Sequence, residues 1–119
     1  MQKRFILLLT ANPLAWACGG TFPPPTQPMA DAEAAELRAR EVGADSQPEA
    51  KLEVKLASEQ ITQAKALIAS GDNERASYLL LRARADAELA LALSRERNAL
   101  LEKQRALAQS SATLTSNFQ

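Results

Sequence analysis

The sequence contains no histidine and a single cysteine, Cys18, among its 119 residues. One cysteine cannot form an intramolecular disulfide. Without histidine, the chain lacks the side chain that most often moves protons near neutral pH and that commonly binds transition metals. We therefore expect no enzymatic activity, no cofactor, no bound metal and no small-molecule substrate.

The chain also lacks clusters of one charge. Its 14 basic and 14 acidic residues balance and are spread along the sequence. Loss of an N-terminal segment containing Lys3 and Arg4 would lower the basic count to 12 and leave a net charge of about −2. Binding to nucleic acid depends on clustered lysine and arginine that displace counterions from phosphates. The sequence therefore argues against nucleic acid as a partner.

The N-terminal segment has the pattern of a signal peptide. Lys3 and Arg4 precede an apolar stretch from Phe5 to about Ala17. This stretch is shorter than the roughly 20 apolar residues that a membrane-spanning helix needs. A short basic segment, a short apolar segment and small residues at its end are typical of an export signal. Residues 1–17 are therefore predicted to be cleaved after Ala17.

Cys18 follows this cleavage site directly and is the candidate for lipid attachment. Ala17 is small, as a lipoprotein signal requires, whereas Ala15 stands where leucine is typical and Trp16 is bulky. The alternative is ordinary cleavage after an Ala-x-Ala pattern, which would release a soluble periplasmic protein with a free thiol. Gly19, where aspartate would favour retention in the inner membrane, favours the outer membrane. We expect a lipid anchor in the outer membrane, facing the periplasm.

Residues 18–28 are predicted to form a tether behind this cysteine. Four prolines occur between Pro23 and Pro28. Proline fixes one backbone dihedral and donates no hydrogen bond, so this composition favours an extended polyproline II segment. At about 3.1 Å per residue, such a segment would reach roughly 30 Å.

The remainder of the chain is predicted to be an alanine-rich helical domain, residues 29–108. Alanine, leucine, glutamate, arginine, lysine and glutamine dominate it, and all are strong helix formers. Helices are expected over residues 29–42, over residues 48–70 and from 73 to about 110. The polar residues 109–119 are expected to be a flexible tail.

Two short links separate the predicted helices. Gly43 suits the position after the first helix, and Ser46 with Glu49 three residues later fits a capping box for the second. Gly71 suits a left-handed turn residue, and Asp72 can cap the third helix. Because only two residues join the second helix to the third, we expect these helices to run antiparallel.

Small and apolar residues mark one face of the second helix and one face of the third. The predicted core positions are Ala57, Ile61, Ala64, Ile68, Ala76, Leu80, Ala83, Ala87 and Ala90. Leu93, Leu100 and Leu107 continue at seven-residue spacing, which is typical of a seam between helices. Beyond about Ser94 the third helix is longer than the second. We therefore expect a protein partner or a second copy along this overhanging part.

Polar side chains are expected to lie mainly on the surface. Three pairs of opposite charge at four-residue spacing are predicted ion pairs: Glu36–Arg40, Arg82–Asp86 and Arg84–Glu88. Asp86 and Glu88 are two residues apart, so a helix points them about 200° apart and they cannot share a catalytic site. Tyr78 has no aromatic neighbours and is predicted to be half-buried in the core.

Residues spread over the second and third predicted helices also carry a family resemblance. They are Lys55-Leu56, Ile61, Ala64, Leu67-Ile68, Gly71-Asp72, Ala76, Leu80, Ala83 and the string Ala85-Asp86-Ala87-Glu88-Leu89-Ala90. In these residues the chain resembles the bacterial lipoprotein family called domain of unknown function 4398, over about residues 24–95. The resemblance implies a lipid-anchored envelope protein with a helical-hairpin domain of undefined activity.

These observations predict an all-α fold: an antiparallel helical hairpin, or small three-helix bundle, with a long overhanging C-terminal helix. The expected function is that of a non-enzymatic, lipid-anchored envelope protein acting as a helical structural or docking element in the periplasm. The alternative is a soluble periplasmic adaptor or chaperone-like binding protein, released by ordinary signal cleavage.

Overall fold

Three α-helices and one short 3₁₀ turn make up the part of the chain that the computed structural model describes, residues 21–118. Helix α1 spans Thr26–Glu41, the 3₁₀ turn Ala44–Ser46, α2 Pro48–Ala69 and α3 Asn73–Asn117. Helices α2 and α3 form the predicted antiparallel hairpin, and α1 packs against both. The all-α prediction is confirmed for these residues.

Helices α1 and α3 run parallel. One hydrogen bond joins the start of α3 to the segment before α1, and another joins a later residue of α3 to the residue after α1. At one end of the bundle, Asn73 Nδ2 donates to the carbonyl of Phe22 (2.8 Å). At the other end, Asn98 Nδ2 donates to the carbonyl of Val42 (3.1 Å). The chain therefore enters the bundle beside the α2–α3 turn, and α3 leaves it at the opposite end.

The core consists mainly of alanine. The buried apolar residues are Ala32, Ala35, Ala39, Ala44, Ala50, Val54, Ala57, Ile61, Ala64, Ala76, Leu80, Ala83, Ala87 and Ala90. Every predicted core position is among them except Ile68, which is half-buried and packs against this core. Leu80 and Val54 are the largest apolar side chains that are fully buried. Small side chains let the helices approach closely and leave little apolar area for each residue to bury.

Helix α1 begins three residues before the predicted start at residue 29 and ends at Glu41. The last three residues of the predicted tether, 26–28, are therefore helical. Pro28 is compatible with this, because it lies in the first turn, where its missing N–H would have no helical acceptor. The division into signal, tether and domain remains a prediction.

Helix α3 extends beyond the predicted end near residue 110 and reaches Asn117. Hydroxyl groups in this last segment donate to carbonyls three or four residues earlier, as in the bond from Thr113 to Gln109 (3.0 Å). The same pattern occurs at Ser110, Ser111, Thr115 and Ser116. These bonds satisfy the hydroxyls within the helix. The predicted helix end is wrong, whereas flexibility of residues 109–119 remains a prediction.

The predicted capping box at the start of α2 is also wrong. Gln47 is the cap residue, with extended backbone and no capping side-chain bond, and Pro48 is the first helical residue, as predicted. Ser46 belongs to the preceding 3₁₀ turn, which places it one residue too early to cap α2. Gly43 has a φ of 90°, which confirms the left-handed position expected after α1.

Candidate docking surfaces

The turn between α2 and α3 is built by Gly71 and Asp72, as predicted. Gly71 has a φ of 84°, and its N–H donates to Ile68 (3.0 Å), while the Asp72 N–H donates to Leu67 (2.9 Å). These two crossed bonds form a Schellman motif, which needs a left-handed residue where glycine is. The Asp72 carboxylate accepts from the Arg75 N–H (3.3 Å) and so caps α3. The turn fixes the two helices as a hairpin.

Substituting Gly71 tests this turn. Gly71→Ala is expected to lower the free energy of unfolding by about 1–2 kcal/mol, because a β-carbon disfavours the left-handed backbone. Gly71→Asn is expected to lower the free energy of unfolding by a smaller amount, since asparagine adopts this conformation more readily than alanine. Urea denaturation followed by circular dichroism measures both. Equal stability of the alanine variant and the wild type would contradict the argument.

A shallow groove of about 680 Å³ lies beside this turn. Its lining residues are Gln63, Ala66, Leu67, Ser70, Arg75, Tyr78, Leu79 and Arg82. Tyr78 is 65% exposed, so its predicted core position is wrong. Ala76 and Leu80 occupy the core, and a residue two positions from each lies about 200° away around the helix. The sequence alone could not indicate this groove, because its two walls belong to different helices.

A polar contact joins α2 and α3 midway along the hairpin. Gln60 is buried, and its Nε2 donates to Asp86 Oδ2 (2.6 Å). The predicted pair between Asp86 and Arg82 does not form, because Asp86 turns toward α2 instead. Gln60 Oε1 is buried and accepts no hydrogen bond from the described residues. This contact sets Gln60 opposite Asp86 and so defines the register of the two helices.

The two other predicted ion pairs are confirmed. Arg40 contacts Glu36 (2.8 Å) and also Asp45 (2.7 Å). Its hydrogen bonds to Glu36 and then to Asp45 raise the pKa of Arg40 above its usual value. The contact with Asp45 ties the end of α1 to the 3₁₀ turn. Exposed pairs of this kind contribute little to stability.

The second confirmed pair is Arg84–Glu88 (2.7 Å). Arg84 also reaches Asp31 of α1 (3.4 Å). The hydrogen bond to Glu88 is the main reason why the pKa of Arg84 is raised. The contact between Arg84 and Asp31 joins α3 to α1 on the surface of the bundle.

The far end of α3 extends beyond the bundle. Ser94 is the last fully buried residue, and Asn98 makes the last hydrogen bonds to the loop before α2. We call residues 99–117 the overhang; at 1.5 Å per residue it is about 28 Å long. Its side chains are exposed except Leu101, which is half-buried. The predicted overhang is confirmed.

Three leucines form a stripe along the overhang. Leu100 is 46% exposed, and Leu107 and Leu114 are each 60% exposed. Leu100 and Leu107 were predicted from their spacing, whereas Leu114 was placed in the predicted polar tail. The signal was present, since Leu114 lies seven residues after Leu107.

The predicted lipid attachment at Cys18 and the cleavage after Ala17 lie outside the described residues, and both remain predictions. Within residues 21–118, histidine, cysteine and acidic side chains form no group of three that could hold a metal. No helix in this part of the chain is long and apolar enough to span a membrane.

The fold and its exposed overhang define a small all-α domain built on an alanine-cored helical hairpin. The chain belongs to the family described as Domain of unknown function (DUF4398), whose model matches residues 27–111. This match confirms the family that the sequence resembled. It begins in α1 and includes most of the overhang, so the overhang is part of the family's domain. No curated protein and no solved structure matches the chain.

Proposed function

We propose that this protein is a non-enzymatic, lipid-anchored protein of the bacterial envelope, whose bundle holds the overhang away from the outer membrane as a docking element in the periplasm. The parallel arrangement of α1 and α3 is the observation that supports this most. It places the entry of the chain at one end of the bundle and the overhang at the other.

The distances fit such a role. Between Cys18 and the start of α1 at Thr26 the chain can span at most about 27 Å. An anchor at Cys18 would therefore keep the α2–α3 turn near the membrane surface. Helix α3 has 45 residues and is about 67 Å long, so the overhang would begin about 40 Å beyond that turn.

The overhang suits docking because its apolar stripe is exposed. A surface leucine alone is ordinary, but three leucines that recur at seven-residue spacing offer a partner repeated apolar contacts along one side of the helix. The groove beside the turn is at the opposite end of the hairpin and would face the membrane.

A soluble periplasmic adaptor or chaperone-like binding protein is the second candidate. The observation that favours it is the segment Ala15-Trp16-Ala17, which also suits ordinary signal cleavage. In that case the same overhang would dock while the protein diffuses freely.

Metabolic labelling with a clickable palmitate analogue tests the proposal. We expect label on the wild-type protein and no label on Cys18→Ser, which should also leave the membrane fraction. Thr21→Ser is the control, since it changes a nearby side chain and spares the sulfur, and it should keep the label. A wild-type protein without label would exclude the anchor and favour the soluble adaptor.

A further inference from the structure

The groove beside the α2–α3 turn combines apolar and cationic side chains. Leu67 and Leu79 are its half-buried members, and Arg75 and Arg82 belong to its α3 wall. All the residues that line it lie in the described part of the chain, and none of them is acidic. The groove therefore suits a molecule that carries an anionic group next to an apolar part.

Both arginines of the groove are available to such a molecule. Arg82 is exposed and takes part in none of the ion pairs among residues 21–118. Arg75 contacts Asp72 through Nη1 alone (3.2 Å), and its side chain is 74% exposed. A guanidinium group binds phosphate oxygens through pairs of N–H donors. A phosphate is therefore the anion that these two side chains fit best.

The side chains of the α3 wall point toward the turn. In an α-helix the bond from Cα to Cβ tilts toward the N-terminus, and α3 begins at this turn. Arg75, Tyr78 and Arg82 lie on one face of α3, since three and four residues separate them. Tyr78 is between the two arginines and is 65% exposed. An exposed ring with a hydroxyl suits the boundary between the headgroups and the acyl chains of a membrane.

The chain that precedes the described residues leads to this same end of the bundle. The carbonyl of Phe22 accepts a hydrogen bond from Asn73, the first residue of α3. Between Cys18 and Phe22 the chain can span at most about 14 Å. A lipid anchor at Cys18 would therefore bring the turn and its groove to the headgroups of the membrane. This step rests on the proposed function.

We propose that the groove binds one anionic phospholipid of the membrane that holds the anchor. Its phosphate lies between Arg75 and Arg82, and the start of an acyl chain lies against Leu67 and Leu79. The anchored bundle then has a second contact with the membrane. Two contacts at the turn end restrict the tilt of the bundle and direct the overhang into the periplasm.

The only cysteine and the only tryptophan of the sequence, Cys18 and Trp16, allow a direct test. A chain that begins at Cys18 contains every described residue and no tryptophan. Coupling Cys18 to a maleimide lipid attaches this chain to vesicles, whether or not cells add a lipid there. Tyr78→Trp then provides a single fluorophore at the groove. We expect brominated phosphatidylglycerol to quench it more strongly than brominated phosphatidylcholine, whereas Leu107→Trp on the overhang should not be quenched.

Charge variants of this Tyr78→Trp chain test the role of the arginines. Arg82→Gln should raise the fraction of phosphatidylglycerol that gives half-maximal quenching by about five-fold. Arg105→Gln is the matched control, since it makes the same change in charge on the exposed overhang, and it should have no effect. Glu74→Gln removes an exposed negative charge beside the turn and should lower that fraction. Circular dichroism should show the same helical content in all of them.

Four results would overturn the proposal. Equal quenching by the two lipids would remove the preference for an anionic headgroup. Equal effects of Arg82→Gln and Arg105→Gln would indicate net charge alone. Loss of quenching on adding inorganic phosphate at the concentration of the headgroups would indicate a site for a free anion. Quenching of Leu107→Trp as strong as that of Tyr78→Trp would indicate a bundle that lies flat on the membrane.

Failure of this proposal is distinguishable from failure of the anchor. The vesicle measurement uses a lipid attached chemically, so it gives the same result whether or not Cys18 is labelled in cells. Absence of palmitate label would exclude the anchor and leave the phospholipid preference of the groove unchanged.

Discussion

Replacing Leu80 with alanine is expected to lower the free energy of unfolding by about 2–5 kcal/mol. Leu80 and Val54 are the two largest apolar side chains that are fully buried. The buried cluster of Leu80 contains four alanines and Ile61, and larger apolar side chains pack against it from the edge. Alanine side chains cannot rotate to fill a cavity, so the space left by Leu80 would close only in part. A domain of this size is stable by only about 5–15 kcal/mol, so the loss is a large fraction of the total. Urea denaturation followed by circular dichroism measures it.

The adjacent residue provides a matched control. Leu81 is 55% exposed on the same helix, so Leu81→Ala removes the same atoms and changes helix propensity in the same way. We expect it to cost less than about 1 kcal/mol. Similar losses for the two variants would show that burial of Leu80 in the core does not stabilise the bundle.

Replacing Ala87 with leucine is expected to destabilise the bundle by about 1–3 kcal/mol or more, although it adds apolar surface. Ala87 of α3 forms a buried cluster with Ala35 of α1 and Ala57 of α2, one alanine from each helix. A leucine fits there only if the helices separate, which exposes the clusters on either side. Thermal denaturation should show a lower midpoint, and a dye that binds exposed apolar surface should bind more strongly.

Ala85→Leu is the control for this second variant. Ala85 lies two residues away and is exposed, so the added side chain meets solvent. Its stability is expected to stay within about 0.5 kcal/mol of the wild type. An Ala87→Leu protein as stable as Ala85→Leu would mean that the three helices are not closely packed at this level.

These two substitutions test a bundle in which helix propensity and the burial of apolar area contribute unequally. Alanine favours helix more than any other residue but buries little area, so local propensity forms the helices while packing contributes modestly. Covering the exposed leucines of the overhang would add apolar burial that one chain lacks.

The secondary structure was predictable mainly where a local signal has one physical meaning. Gly71 and Asp72 mark the α2–α3 turn, because a left-handed residue followed by a capping carboxylate satisfies both helix ends. The end of α3 could not be predicted in this way, because no single residue marks it. The serines and threonines after Leu107 suggested a tail, yet their hydroxyls bond back to the helix that contains them.

The family could also be predicted, from residues such as the string from Ala85 to Ala90. The overhang could be predicted because the third helix is longer than the second. Contacts between helices were harder to predict. Arg82 is four residues before Asp86, as an ion pair requires, but Asp86 bonds to Gln60, which is 26 residues away in sequence. Sequence spacing describes one helix at a time and cannot indicate which side chain a second helix brings closer.

By itself, the sequence determined three helices, the antiparallel hairpin and the alanine faces that meet in the core, because helix propensity, turn residues and side-chain period are local properties of the chain. Only the tertiary structure decided that α1 runs parallel to α3, that Tyr78 is exposed beside a groove, and that the overhang leaves the bundle opposite the entry of the chain. These features depend on how separate helices pack, and packing joins residues that lie far apart in the sequence.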